Sequence, residues 1–291
     1  MNEFQYISEK ILGAEFKTAP FKHLLIENFL SDEHLKLILE NPQIHFRETK
    51  STEDLIETLD TKGWEIINFP GCIGTNPGDI RKYIRTLKDD SFPYHRKGNP
   101  VESYGLTYRL MRIDNEFIKK LVRYMNSLEF KSALETKFNI TKPTKVITAI
   151  QKNLSHYEIS PHPDIREKAL TYLLNINKDS SVDDEPVHTH LLRFKDEWSF
   201  IKEYWSRGST FTKNRCWVPW DWCETVITTN RNNSFVLFAP SDDTLHAAKM
   251  KYDHNKFQRT QLYGNLMYSD KRIVKSMSYK DLEKIREKET K

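Results

Sequence analysis

The sequence predicts a mainly β protein with flanking helices (α+β), in which N-terminal helices support an antiparallel core. Three observations lead there. Helical periodicity is confined to the first half of the chain and its last residues. From Lys145 onward, short segments rich in β-branched and aromatic residues follow one another, separated by turn formers. Helices grouped ahead of strands argue for an antiparallel arrangement, because βαβ units would alternate them.

The elements follow in order. "FKHLLIENFLSDEHLKLILENP" predicts a short strand and then a helix capped by Ser31, with Asp32 and Glu33 in its first turn and Pro42 past its end. "SYGLTYRLM" (103–111) has the composition of a strand, while 114–126 and 128–138 carry apolar residues at helical spacing. "KVITAIQKN", "KALTYLLNIN", "NSFVLFAP", "TLHAAKMKY" and "QRTQLYGNLMY" are the core strands, and "SYKDLEKIREKE" returns to helix with Ser278 and Asp281 at capping-box-like spacing. No internal repeat, low-complexity tract or Pro/Gly-rich linker divides the chain. A single domain over 1–291 is therefore expected, with a support region at 1–144, a core at 145–270 and a C-terminal helix at 271–291.

Composition excludes several classes. Hydrophobic residues make up 38% and aromatic residues 12%, enough for a sizeable core. Lys and Arg number 45 against 41 acidic residues, and stretches such as "DIRKYIRTLKDD" mix the signs, so no nucleic-acid partner is expected. Cys72, Cys216 and Cys223 are too few for a disulfide scaffold. No apolar run is long enough to span a bilayer, and "MNEFQYISEKILGAEF" lacks a signal peptide's basic start and unbroken apolar stretch. A cytoplasmic protein with no membrane partner is the expectation.

Chemistry concentrates in "SPHPDIREKALTYLLNIN" (160–177), where His162 and Asp164 stand one residue apart ahead of an apolar run. In extended chain their side chains point the same way, so both can face one cation. A third ligand must come from a distant strand. His246 is the best placed, following the apolar "SFVLFAP" and preceding Ala247 and Ala248, which leave room for a ligand. His254 sits in a polar turn, and the His188–His190 pair has no carboxylate at ligand spacing. Two histidines and one carboxylate form the facial triad of non-haem Fe(II) oxygenases, which leaves positions open on the metal. Beyond His246, Arg259, Gln261 and Tyr263 alternate onto one face of the last strand, and an arginine on a core strand needs an anionic partner.

On His162, Asp164, His246 and Arg259 in that order, and on "HLLIENFLSDEHLKLIL", the chain resembles the Fe(II)/2-oxoglutarate-dependent dioxygenase superfamily, in its prolyl-4-hydroxylase-like branch. The resemblance covers roughly residues 21–42 and 145–268. It implies a double-stranded β-helix (jelly-roll) core, Fe(II) on His162, Asp164 and His246, and 2-oxoglutarate and O2 as co-substrates. Arg259 would hold the distal carboxylate of 2-oxoglutarate, with Gln261, Asn153 and Tyr172 around it. Two departures stand out. Arg259-Thr260-Gln261 replaces the Arg-x-Ser of many relatives, and Asn153 falls where prolyl hydroxylases usually carry a tyrosine. The second weakens a peptidyl-prolyl assignment and leaves a small-molecule or sugar-like substrate as the expectation. Nucleic-acid demethylases of this type carry a second arginine where Asn265 stands, and halogenases lack the carboxylate that Asp164 supplies. A jelly-roll binding module without catalysis and a zinc hydrolase on the same triad are the readings from other classes.

The wide gap between His162 and His246 implies an insert at about 178–224. It holds "RCWVPWDWCE", with Trp217, Trp220 and Trp222 in six residues. These indoles either plug the insert onto the barrel or wall a substrate pocket. A structural zinc on Cys216, Cys223, His188 and His190 is disfavoured by the long C-x6-C spacing.

Overall fold

The computed structural model describes residues 2–68, 73, 75–89, 100–203, 217–229, 231–269, 283, 284 and 286. Six α-helices occur among them: α1 (Gln5–Gly13), α2 (Asp32–Leu39), α3 (Thr52–Thr61), α4 (Pro77–Lys88), α5 (Glu116–Met125) and α6 (Leu128–Phe138). The strands are β1 (His23–Ile26), β2 (Trp64–Ile66), β3 (Thr107–Leu110), β4 (Thr144–Asn153), β5 (Glu158–His162), β6 (Lys168–Asn175), β7 (Thr189–Phe194), β8 (Cys223–Thr229), β9 (Phe235–Phe238), β10 (His246–Lys249) and β11 (Arg259–Tyr268).

They build a seven-stranded sheet, β1-β9-β6-β11-β4-β3-β2, and a four-stranded sheet, β5-β10-β7-β8, with antiparallel pairing throughout. The eight strands β4–β11 divide equally, with β4, β6, β9 and β11 in the large sheet and β5, β7, β8 and β10 in the small one. This is a double-stranded β-helix, the architecture expected from the sequence. β1, β2 and β3 extend the large sheet at its two edges.

Alternation along the strands separates two environments. Leu170, Tyr172 and Leu174 of β6 and Leu262 and Leu266 of β11 turn outward into one apolar core with Ile7 and Ile11 of α1, Ile118 and Leu121 of α5, and Phe130 and Leu134 of α6. The inner face carries Gln151, Asn153, Arg259 and Gln261, all buried and polar. Helix starts follow the predicted chemistry: the backbone N–H of His34 donates to Ser31 Oγ at 3.2 Å, and that of Ile118 to Asn115 Oδ1 at 3.1 Å.

Several expectations need correction. α1, α3, α4 and β2 were not anticipated, and β5 is a strand of its own, ending at His162. The stretch 178–224 is not wholly an insert, because it contains β7, which bonds β10 and β8 inside the small sheet. Its sequence "THLLRF" hides the strand because a bulge between Leu191 and Leu192, both buried, breaks the alternation that would mark it. The C-terminal helix expected at 271–291 falls, apart from three residues, outside the described residues, as do Cys72 and Cys216.

Candidate metal centre

His162 and His246 meet because they are register partners, one ending β5 and the other opening β10. Their ring centroids stand 4.3 Å apart. Asp164 joins them differently from the way strand alternation would bring it. It lies beyond β5 in the left-handed region, at φ 65°, a conformation that Asp tolerates better than most residues. Its Oδ1 comes to 3.7 Å from His162 Nε2 and its Oδ2 to 3.5 Å from His246 Nε2. One donor atom from each residue lies within 4.8 Å of the others, and no other such group of three occurs among the described residues. Metal–ligand bonds of about 2.0–2.2 Å require donor separations of roughly 3–3.5 Å, so a small contraction closes the set on an ion.

The supports of this triad favour ligation. His162 Nδ1 lies 2.9 Å from the Ser160 carbonyl, and His246 Nδ1 lies 3.2 Å from that of Thr244. Each carbonyl can only accept, so each ring carries a proton on Nδ1 and turns Nε2 toward Asp164, the orientation in which Nε2 serves as the ligand atom. Burial, then His162, pushes His246 down to about 3, which keeps its imidazole neutral, as a ligand must be. Thr171 Oγ1 donates to Asp164 Oδ2 and Lys168 Nζ to Oδ1, both at 2.6 Å. Burial alone would raise the Asp164 carboxyl. The Lys168 ammonium opposes it and holds the group well below the usual carboxylate range.

A cavity of about 320 Å³ runs between the sheets from this triad to Arg259. Arg259 opens β11 opposite Asn153 and is 3% exposed. Its Nη1 donates to Asn153 Oδ1 and its Nη2 to Thr189 Oγ1, both at 2.7 Å, while its Nε is buried without a partner. Among the described residues no carboxylate pairs with it, and burial lowers its pKa to about 10. The orientation is fixed by neutral groups and the charge is left unanswered.

Each predicted residue can now be located. His162, Asp164, His246, Arg259, Gln261 and Asn153 all line the cavity, and so do Ala247 and Ala248. Gln261 Nε2 donates to Asn175 Oδ1 at 2.7 Å. Tyr172 is the exception. It alternates with Thr171 and Leu173 and therefore faces the helices, its hydroxyl 2.5 Å from Thr148 Oγ1 and its ring over Gly264, where a Cβ would stand 2.3 Å from it. It is a core residue without access to 2-oxoglutarate.

The three tryptophans separate. Trp222 is buried and stacks on Trp198 at 3.6 Å and 11°, which makes it packing. Trp220 is partly buried and donates from Nε1 to Glu158 Oε1 at 2.8 Å. Trp217 comes nearest the triad, 6.5 Å between ring centroids from His162, held there by the backbone bond from Val218 to Pro161. Sequence reasoning missed Lys168, Thr171 and Thr189. Their roles depend on which strands become neighbours, and no local pattern marks that. Cys223 is a buried thiol pushed up to about 12, in keeping with a packing role.

No family model and no curated protein matches the sequence. Solved structures with a similar fold include prolyl hydroxylases and a protein with 2-oxoglutarate bound. A Pseudomonas putida prolyl-4-hydroxylase is 7% identical, with a TM-score of 0.42 over 91% of this chain and 98% of that one. A Trichoplax adhaerens prolyl hydroxylase in complex with a hypoxia inducible factor oxygen degradation domain peptide is 9% identical, with a TM-score of 0.44 over 91% of each chain. HygX from Streptomyces hygroscopicus, with nickel and 2-oxoglutarate bound, is 10% identical, with a TM-score of 0.33 over 76% of this chain and 88% of that one. At such scores the functional reading rests on the donor set and the cavity of this chain. No helix among the described residues is long and apolar enough to cross a membrane.

Proposed function

We propose that the protein is an Fe(II)- and 2-oxoglutarate-dependent oxygenase that oxidises a C–H bond of a small-molecule substrate. The observation that carries this reading is the pairing of two features in one cavity: a buried His-Asp-His donor set converging on one point, and a buried guanidinium with no carboxylate of its own. A binding module without catalysis would need neither, and a zinc hydrolase would not need the arginine.

His162, Asp164 and His246 would hold the iron, which when bound supplies oxygen activation coupled to decarboxylation of 2-oxoglutarate. The remaining work belongs to the chain. Ser160 and Thr244 fix the imidazole tautomers. Lys168 and Thr171 orient the carboxylate that must stay ionised. Arg259, braced by Asn153 and Thr189, meets the distal carboxylate through its planar fork. Ile159, Leu173, Ala247 and Ala248 give the cavity apolar walls. A volume near the lower end of ligand-pocket sizes favours a small substrate over a peptide.

Purified protein should convert 2-oxoglutarate to succinate only with added Fe(II), and a mass-spectrometric screen of small molecules should yield a product 16 mass units heavier. Succinate formation that survives removal of iron contradicts the proposal.

A further inference from the structure

The cavity holds one more cation than the proposed reaction uses. Lys168 is committed to Asp164 and to the Tyr263 hydroxyl, at 2.6 Å and 3.1 Å. Arg259 is assigned to the co-substrate. Arg109 has no such engagement. It lies on β3, opposite Gln151 of β4, which in turn lies opposite Gln261 of β11, and all three line the cavity as one row on the inner face. Its Nε is buried without a partner, and among the described residues it makes no ion pair. Its register partner on β2, Glu65, is an exposed residue. Arg109 is half-buried, and a buried guanidinium N–H without a partner costs stability unless something accepts from it.

We propose that Arg109 anchors a second anion subsite, which takes a carboxylate or phosphoryl group of the substrate. The inference rests on the 2-oxoglutarate reading above and deepens it by giving the substrate a charge. Two relations support it. Arg109 and Arg259 stand on strands two positions apart in the sheet, about 10 Å at ordinary strand spacing. One 2-oxoglutarate held between the metal and Arg259 therefore leaves Arg109 free. Asp164 is the single carboxylate among the described residues lining the cavity, so a doubly charged co-substrate, met by the metal and Arg259, still leaves the walls positive. An anion on the substrate balances them, and Gln151 beside Arg109 offers an amide to the same group. The arginine fork suits both a carboxylate and a phosphoryl oxygen pair.

The test uses the full chain loaded with Zn(II), which does no redox chemistry, and saturated with 2-oxoglutarate. Acetate and methylphosphonate serve as probes, followed by ligand-observed NMR, while calorimetry follows 2-oxoglutarate. At least one probe should bind alongside 2-oxoglutarate, and the one preferred tells a carboxylate from a phosphoryl substrate. Arg109→Gln should weaken that probe by about tenfold or more, as expected for losing charged hydrogen bonds, and Arg109→Lys should recover part of it. Arg259→Gln should lose 2-oxoglutarate instead. The proposal is overturned if neither probe binds, if Arg109→Gln binds them as wild type does, or if Arg109→Gln abolishes 2-oxoglutarate binding in place of Arg259→Gln. Failure of wild type to bind 2-oxoglutarate would sink the oxygenase reading instead. The same probes on the Zn(II)-loaded protein, compared with Arg109→Gln, would then decide the subsite separately.

Discussion

Lys152 and Arg259 are buried cations on neighbouring strands, one register position apart and on opposite faces of the same sheet. Lys152 pairs with Thr260, and Arg259 with Asn153. Lys152 faces the helices, is 0% exposed, and has no carboxylate partner among the described residues. Its Nζ donates to Thr260 Oγ1 at 2.7 Å and lies 5.0 Å from the Trp64 ring centroid and 5.5 Å from that of Phe46. Burial holds its pKa well below the ordinary 10.5. Its surroundings are packed. Arg259 faces a cavity, is braced by neutral groups, and keeps a buried donor unpaired. Burial and missing countercharge are common to both, so neither marks a ligand site. The open space in front of the charge does.

Four substitutions would break or sharpen that contrast. Arg259→Gln should weaken 2-oxoglutarate by roughly 30-fold or more, from the 2–5 kcal/mol lost with a buried charged contact. Lys152→Met should leave that affinity unchanged, and calorimetry on both variants reads the difference. Thr260→Val strands the Lys152 ammonium with only the two rings. It should lower stability by about 1–3 kcal/mol in urea unfolding, with 2-oxoglutarate binding intact.

Lys152→Met removes a buried amine that has no countercharge and keeps the volume, so stability at pH 7 should be unchanged or rise by about 1 kcal/mol. The pH dependence has a definite sign. Because the folded pKa lies below the unfolded 10.5, the unfolded chain binds more protons between the two values. The Lys152 contribution therefore rises with pH in that window and is constant below it. The wild-type minus Lys152→Met stability difference should rise accordingly, and a flat difference would contradict the burial account. The smallest effect is expected from Asn153→Ala. Losing one neutral brace on Arg259 Nη1 should cost about 1 kcal/mol, a several-fold weaker 2-oxoglutarate affinity.

The same contrast explains what could be read from the sequence. β11 announced its phase, because Arg259, Gln261 and Tyr263 alternate with Thr260 and Leu262, and the structure keeps that alternation. β6 did not. "KALTYLLN" is apolar on both faces, so nothing local tells whether Thr171 or Tyr172 turns inward, and Tyr172, expected beside 2-oxoglutarate, lies in the helix-facing core instead. The triad was legible as an ordered pattern, although Asp164 arrives through a left-handed residue rather than through strand alternation. Lys168 and Thr171 were not legible, since the hydrogen bonds that make them matter form only once the loop after β5 folds back on β6. β7 is hidden in the supposed insert because the bulge between Leu191 and Leu192 breaks its alternation, and Thr189 is hidden with it.

Metal binding tests the central claim most directly. Calorimetric titration of Zn(II) or Fe(II) under anaerobic conditions should give one ion per wild-type chain. Asp164→Ala should weaken that binding by more than about a hundredfold, beyond the range for losing a supporting residue. Lys168→Met, which removes a brace on the same carboxylate, should fall between the two. Wild-type affinity in Asp164→Ala, or no stoichiometric binding in the wild type, would contradict the account.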